Sequence, residues 1–270
     1  MLPRAVTAYG SFSMSSRVPA PSELSCADPE DPCRLPNAFV ADPPLDQVVA
    51  RTWEGGVRGR ERIVWNASLF RTATRDDLMF ISSGPLTNTG HFQNVGDTVR
   101  QGVELSALGG TARLRWSLGY TFLRARFDTA LTLSSPNHPA EEDGEIEVES
   151  GDRLPGIPEH NFKAGLTATI QRLTLGGTLA STSSQYLRGD EANVLPAIDG
   201  FTIVNLAARY ALGARVAVTG RVTNLFDANY ASFGLLGEAD EVLGDDYEDP
   251  RFLSPGAPRA AWLGFTVAFR

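Results

Sequence analysis

Hydrophobic and polar residues alternate along the last segment of the chain. Odd-numbered positions from 261 to 269 are Ala, Leu, Phe, Val and Phe, and even-numbered positions from 262 to 268 are Trp, Gly, Thr and Ala. A period of two is that of a β-strand with one face in apolar surroundings and the other face elsewhere. The segment therefore predicts a terminal strand with two chemically different faces.

Nine further segments repeat this alternation. The ten predicted strands are 4–15, 47–59, 62–81, 92–107, 111–127, 160–171, 173–187, 200–212, 214–225 and 259–270. In the clearest, 111–127, one face carries Leu114, Trp116, Leu118, Tyr120 and Phe122, and the other carries Arg113, Arg115, Ser117, Gly119 and Thr121. An unpaired guanidinium in a dry core is costly, so the second face favours a wet lumen over a protein interior.

The predicted connections alternate in length. Short connections fall at 59–62, 109–110, 171–172 and 212–214, and long ones at 16–46, 82–91, 128–159, 188–199 and 226–258. Tight turns at one end and long loops at the other are typical of outer-membrane barrels, whereas compact soluble domains rarely contain loops of thirty residues. The predicted fold class is all-β, an antiparallel up-and-down transmembrane β-barrel.

Composition excludes several other classes of protein. Hydrophobic residues make up 42% of the 270 residues, and no run approaches the eighteen or so apolar residues of a membrane helix. The net charge is −8, with acidic residues crowded into 141–152 and 238–249, which we interpret as solvated loops. Nucleic-acid binding would need a basic face, and none is predicted. Residues 1–16 contain Pro3 and lack the apolar core of a signal peptide, so the chain is expected to start inside a structural unit.

Enzymatic chemistry finds little support in the sequence. His91, His138 and His160 fall in or beside predicted loops, where we expect solvated side chains, and no His-x-His spacing indicates a catalytic metal. The hydroxyl-rich segment 181–184 lacks the context of a nucleophile elbow. An outer-membrane lipase or protease would need a polar catalytic cluster at the outer rim, and none is predicted.

Four motifs occur in a characteristic order. Residues 102–105 follow 94–96, residues 153–158 precede a strand, and Pro258 and Arg259 precede the aromatic-ended last strand. The most specific motif is a box of Asn224, Leu225, Phe226, Asp227 and Tyr230. Together they resemble the C-terminal barrel part of TonB-dependent outer-membrane receptors, of the siderophore-receptor branch, over about Tyr9 to Phe269. In this resemblance the last strand carries the barrel-assembly signal, at Trp262, Gly264, Phe265, Val267 and Phe269, and departs from the family by ending on Arg270.

The resemblance implies a specific architecture and function. Family receptors are 22-stranded barrels around an N-terminal plug that binds TonB. Residues 1–270 would supply about ten strands of such a barrel without the plug. The expected partners are outer-membrane lipid, a ferric siderophore or similar chelate, and the TonB system through the absent plug; no cofactor is expected. The alternative is a self-contained small barrel acting as a passive pore or adhesin, in which strand 4–15 would pair with strand 259–270.

Candidate residues fall into three groups. Cys26 and Cys33, in a segment that resembles an extracellular loop of one receptor subgroup, are expected to form a disulfide; a metal site would need two more soft ligands. The predicted lumen-facing residues are Arg100, Glu104, Arg113, Arg115, Lys163 and Arg221. Aromatic and cationic loop residues suit anionic ferric chelates, and the ligand candidates are Phe39, Phe92, Tyr186, Arg188, Phe233, Tyr247 and Arg251.

Overall fold

The computed structural model describes residues 6–24, 45–82, 90–238, 244 and 249–269. Its described part contains one short helix, α1 (Pro21–Leu24), and sixteen strands. The strands are β1 (Val6–Arg17), β2 (Val48–Arg60), β3 (Ile63–Arg75), β4 (Leu78–Ser82), β5 (Gly90–Asn94), β6 (Thr98–Gly110), β7 (Leu114–Phe127), β8 (Leu131–Ser134), β9 (Glu145–Val148), β10 (His160–Ile170), β11 (Leu173–Thr182), β12 (Phe201–Ala211), β13 (Val216–Thr223), β14 (Ala231–Leu236), β15 (Arg251–Pro255) and β16 (Ala260–Val267).

Ten of these strands form one antiparallel sheet in the order β1-β2-β3-β6-β7-β10-β11-β12-β13-β16. Each predicted strand corresponds to one strand of this sheet, and the predicted all-β, up-and-down fold class is confirmed. β1 pairs with β2 and β16 pairs with β13. Within the described residues β1 and β16 do not pair with each other, so the sheet is open. The pairing required by a self-contained ten-stranded barrel is therefore not observed.

Three two-stranded hairpins were not predicted from the sequence. They are β4–β5, β8–β9 and β14–β15, and each lies within a long connection between two strands of the main sheet. The predicted strand 62–81 is in fact β3 followed by β4. Asp76 interrupts it, because a φ of 52° turns the chain out of the extended conformation.

The connections of the main sheet are sorted by length. The short ones, at 61–62, 111–113, 171–172 and 212–215, all lie at one end of the sheet, the short-turn end. The long ones, at 18–47, 76–97, 128–159, 183–200 and 224–259, lie at the opposite, long-loop end. Successive antiparallel strands produce this separation whenever every other connection is a tight turn.

Pairing register divides the sheet into an apolar face and a polar face. Residues directly opposite each other on neighbouring strands point to the same side. One row across the apolar face consists of Trp65, Ala107, Leu118, Ala164, Leu179 and Val204. One row across the polar face consists of Arg115, Thr167, Gly176, Ala207, Arg221 and Trp262.

No second layer formed by the described residues covers the apolar face. Leu118 is 46% exposed, Leu166 is 52% exposed and Leu263 is 75% exposed. The accessible surface is 16,874 Å², whereas a compact soluble protein of this size would expose about 11,000 Å². The stripe from Leu114 to Phe122 is thus open to the surroundings.

The buried core lies at the long-loop end, where the hairpins pack on the ends of the sheet strands. One cluster consists of Ile81, Val95, Ala125, Phe127, Leu133, Ile146, Val148 and Leu154. A second consists of Leu187, Ile198 and Leu236. Among the described residues there is no helix with the length and hydrophobicity to cross a membrane.

Candidate functional site

A buried histidine–aspartate pair joins two of the long connections. His138 Nε2 lies 3.1 Å from Asp190 Oδ1, and both side chains are completely buried. The backbone N–H of Ala140 donates to His138 Nδ1. Since Nδ1 accepts, Nε2 carries the proton and donates to the carboxylate, a tautomer assigned from the hydrogen-bond network. Burial raises the pKa of Asp190, and the hydrogen bond from His138 opposes that rise.

Further hydrogen bonds fix the same two connections against each other. Ser135 Oγ donates to the carbonyl of Gly189 at 2.6 Å. The side chain of Asn193 accepts from Arg153 N and donates to Arg153 O, which mimics a strand pair between the loops. The connections 128–159 and 183–200 are therefore held in one arrangement before any ligand arrives.

A cavity of about 130 Å³ lies beside this junction. Its lining comes from four of the long connections and includes Phe80, Ser135, Asn137, Arg188, Glu191 and Phe233. A short parallel pairing with β14 places Arg188 at the cavity. In this pairing Arg188 N donates to Gly234 O, and Leu236 N donates to Arg188 O. The structure thus brings Arg188 and Phe233 together, as two of the predicted ligand residues.

Glu191 gives the cavity a titratable group. Its side chain is buried, and Oε1 accepts a hydrogen bond from the Gly189 N–H at 3.2 Å. Burial raises the pKa of Glu191, while the Gly189 hydrogen bond and the Arg188 charge oppose that rise. Sequence reasoning missed Glu191, Ser135 and Phe80, because cavity residues in irregular loops carry no periodic signal.

Of the other predicted ligand residues, those that the structure describes do not line this cavity. Phe92, in β5, makes an edge-to-face contact with Phe80 at 5.4 Å and so lies one ring away. The guanidinium of Arg153 covers the Tyr186 ring at 5.4 Å. Arg251 is engaged by Asp249 through two hydrogen bonds of 2.8 Å. Four further predicted positions lie outside the described residues: Phe39, Tyr247, Cys26 and Cys33. The disulfide therefore stays a prediction.

The predicted lumen residues lie on or beside the polar face. Register places Arg115 and Arg221 in one row, and puts Arg100, Glu104 and Lys163 on the same side of the sheet. Arg113 lies in the turn immediately before β7. The Arg100 guanidinium pairs with Asp77 at 2.9 Å and with the Thr98 hydroxyl at 2.8 Å. The Arg221 guanidinium lies 5.7 Å from the centre of the Trp262 ring.

The motif box closes the long connection between β13 and β16. Asn224 is buried with a φ of 47°; its Nδ2 donates to the carbonyls of Ala228 and Ala257, and its Oδ1 accepts from Ala228 N. Leu225 N donates to Val204 O. Asp227 Oδ1 accepts from Arg259 N, and the Tyr230 ring contacts the Phe201 ring in a tilted arrangement, with 4.3 Å between the ring centres. Phe226 is 74% exposed. The box therefore ties the start of this loop to its end.

The terminal-strand residues divide between the two faces. Phe265 pairs with Val218 and Val267 pairs with Val216 on the apolar face. Trp262 and Gly264 lie on the polar face. Phe269 lies beyond the end of β16 and is 90% exposed.

The expectation of solvated histidines is wrong for two of the three. His91 and His138 are buried, because the connections in which they lie fold into the hairpins β4–β5 and β8–β9 and pack at the long-loop end. His160 is exposed on the apolar face, where its Nδ1 lies 2.9 Å from the Tyr120 hydroxyl. No group of side chains suited to hold a metal ion is present in the described part of the chain.

Comparison with known proteins identifies the fold. A family model described as TonB dependent receptor-like, beta-barrel, matches residues 2–225. The ferric yersiniabactin uptake receptor FyuA from Yersinia pestis matches with 17% identity and a TM-score of 0.71, over 100% of this chain and 36% of its own. The ferric-catecholate import receptor Fiu from E. coli K12 matches with 19% identity and a TM-score of 0.66, over 100% and 34%. The siderophore receptor PiuA from Acinetobacter baumannii matches with 18% identity and a TM-score of 0.68, over 98% and 34%.

Proposed function

The chain belongs to the TonB-dependent receptor β-barrel family, and we propose that it forms the C-terminal part of an outer-membrane receptor that takes up a ferric siderophore or a similar chelate. The family consists of receptors and transporters, not of enzymes. The chain spans about a third of the length of the solved structures it resembles. In such a receptor this chain forms part of the barrel wall and the outer loops, while TonB drives uptake through a plug domain.

One observation carries the proposal: a single sheet with one apolar and one polar face, whose long connections all lie at one end. A soluble protein would have to cover Leu118, Leu166 and Leu263, which are 46 to 75% exposed. A bilayer covers them without a second protein layer. On the polar face, Arg100, Glu104, Arg115, Lys163 and Arg221 then face a water-filled lumen.

The chelate is proposed to contact the cavity of Arg188 and Phe233. Two of the compared structures are named for ferric chelates, which supports this class of ligand. A guanidinium beside an aromatic ring suits an anionic ligand with planar arms. Pockets that enclose a drug-sized ligand measure about 300–1,000 Å³, so a cavity of about 130 Å³ admits one arm while the rest lies outside.

Binding by variants of the chain in lipid bilayers tests this assignment. The iron(III) tris-catecholate anion is titrated against the wild type, Arg188→Gln and Phe233→Ala, with protein fluorescence quenching as the readout. We expect about tenfold weaker binding for Arg188→Gln, because a charge-assisted hydrogen bond is lost. Arg209→Gln, on the polar face, is the matched control and is expected to bind like the wild type. Equal binding by all variants, or none by the wild type, would contradict the proposed site.

A further inference from the structure

Every charged residue at an apolar-face position of the main sheet is an arginine. These residues occur on three strands only, β2, β3 and β7, and all lie toward the long-loop end: Arg51, Arg71, Arg75, Arg124 and Arg126. The apolar-face positions of β1, β6, β10, β11, β12, β13 and β16 carry no Asp, Glu, Lys or Arg. We name the five residues the arginine patch.

Register makes the arginine patch contiguous. Arg71 pairs with Gln101, and Gln101 pairs with Arg124, so the three form one row across β3, β6 and β7. Arg51 and Arg126 lie in the next row, toward the long-loop end, where Ala73 and Val99 separate them. Arg126 is half-buried, and the other four arginines are exposed.

Positive charge in this region exceeds negative charge. The Arg71 guanidinium donates to the neutral amide of Gln101 at 3.0 Å. Glu159 is the one carboxylate among the described residues that pairs with the region, at 2.9 Å from Arg124 and 3.8 Å from Arg153. Of the six arginines of this region, the patch and Arg153, only Arg124 and Arg153 form an ion pair with a described carboxylate.

Two arginines of this region face each other directly. Arg126 forms an isolated antiparallel bridge with Arg153, which places their side chains on the same side of the sheet. Like charges directly opposite each other are destabilising. The bridge therefore adds Arg153 to the positive charge beside the patch; the Arg153 guanidinium itself lies 3.8 Å from Glu159 and 5.4 Å from the centre of the Tyr186 ring.

The arginine patch lies where the apolar band ends. On β7 the apolar stripe runs from Leu114 to Phe122, and Arg124 is the next residue on that face. The stripe is nine residues long, and a tilted transmembrane β-strand needs about 9–11 residues to cross the hydrocarbon. Residues beyond the band are therefore level with lipid headgroups.

We infer that the arginine patch binds phosphate groups of lipids in the outer leaflet. The inference rests on the proposed membrane location and adds a specific lipid contact to it. Guanidinium groups bind phosphate through paired hydrogen bonds, and the Gln101 amide, level with the patch, offers a further donor. The Arg124 guanidinium lies 5.7 Å from the centre of the Phe122 ring, the last aromatic residue of the apolar stripe on β7.

Lipid retention by the full chain tests the inference. Wild-type protein is inserted into vesicles of phosphatidylcholine with one part in ten of lipid A, a phosphorylated glycolipid, and then extracted with a nonionic detergent. The lipid A that stays with the protein is measured. The test variant carries Arg51→Gln, Arg71→Gln and Arg75→Gln. The matched control carries Arg58→Gln, Arg60→Gln and Arg209→Gln, which remove the same charge from polar-face positions.

The expected result is retention by the wild type and the control, with about 100-fold weaker retention by the patch variant. Each basic residue near an anionic surface contributes roughly a fivefold factor. Equal retention by the two variants would overturn the inference. Insertion is scored separately, as protection from protease in phosphatidylcholine alone. Insertion without selective retention contradicts the inference alone, whereas failure of every form to insert contradicts the proposed function and the inference with it.

Discussion

Asp190 accepts three hydrogen bonds while its side chain is completely buried. Its oxygens accept from His138 Nε2 and from the backbone N–H groups of Val194 and Leu195. A buried carboxylate is tolerated only with such partners. Single residues of this kind, and not the hydrophobic pattern, determine how the long loops are arranged around the candidate cavity.

Glu191 makes the stability of this region depend on pH. Burial raises its pKa in the folded chain, so the unfolded chain releases the proton at a lower pH than the folded chain does. The free energy of unfolding therefore falls as the pH rises from the unfolded pKa through the folded one. We expect Glu191→Gln to flatten this decline, since the amide oxygen still accepts from Gly189 N–H and carries no charge.

Urea unfolding of the chain in detergent micelles at a series of pH values measures this effect. Asp249→Asn is the control, because hydrogen bonds from Arg251 lower the pKa of Asp249 and its contribution has the opposite sign, being lost as the pH falls. Asp249 is largely exposed, so its contribution is small. A pH dependence unchanged by Glu191→Gln would contradict the assignment.

At the scale of elements, the turn after β13 depends on Asn224. Its side chain makes three hydrogen bonds to backbone groups. Its φ of 47° lies in the left-handed region, which most residue types other than Gly, Asn and Asp avoid. We expect Asn224→Ala to lower the free energy of unfolding by about 3 kcal/mol, from unsatisfied buried groups and the strained φ. Asn224→Gly relieves the strained φ but still loses the hydrogen bonds, so its free energy of unfolding is expected to lie between those of the wild type and Asn224→Ala.

Phe226→Ala is the matched control for this turn. The ring is 74% exposed, and surface substitutions change stability by about 0.5 kcal/mol or less. Urea midpoints of the four proteins provide the comparison. An Asn224→Ala variant as stable as Phe226→Ala would show that the motif box does not stabilise the loop.

Alternation predicted the long strands and failed on the short hairpins. Strands such as β7 contain enough residues for a period of two to stand out from the background. β8 and β9 have four residues each, too few for that test. The Asp143–Gly144 turn, with φ of 56° and 82°, joins Glu142 to Glu145 and not β8 to β9. Residues 135–144 separate these two strands, so no two-residue Asp-Gly turn marks the hairpin in the sequence.

The candidate site was only partly predictable for a related reason. Arg188 and Phe233 were singled out by residue type, and their meeting depends on the pairing of residue 188 with β14. That pairing joins segments some 45 residues apart in sequence, as Arg188 N to Gly234 O shows. Contacts between irregular segments leave no periodic trace, so Glu191 and His138 could not be assigned to the interior.

At the scale of the whole molecule, the fold depends on the division of the main sheet into an apolar face and a polar face. Most residues on one side of the ten strands are apolar and most on the other are polar, and no described residue forms a second layer on the apolar side. The loop cores and the His138–Asp190 pair are confined to the long-loop end. The proposed membrane location, lumen and lipid contact all depend on this division.

Spin-label accessibility in bilayers tests the division most directly. Single labels are placed at Leu118 and Leu166 on the apolar face and at Ser117 and Thr167 on the polar face, in a background with Cys26 and Cys33 changed to serine. Collision rates with oxygen, which concentrates in hydrocarbon, and with a water-soluble nickel complex are then compared. The account predicts oxygen contact at 118 and 166 and nickel contact at 117 and 167. Nickel contact at all four positions would contradict it.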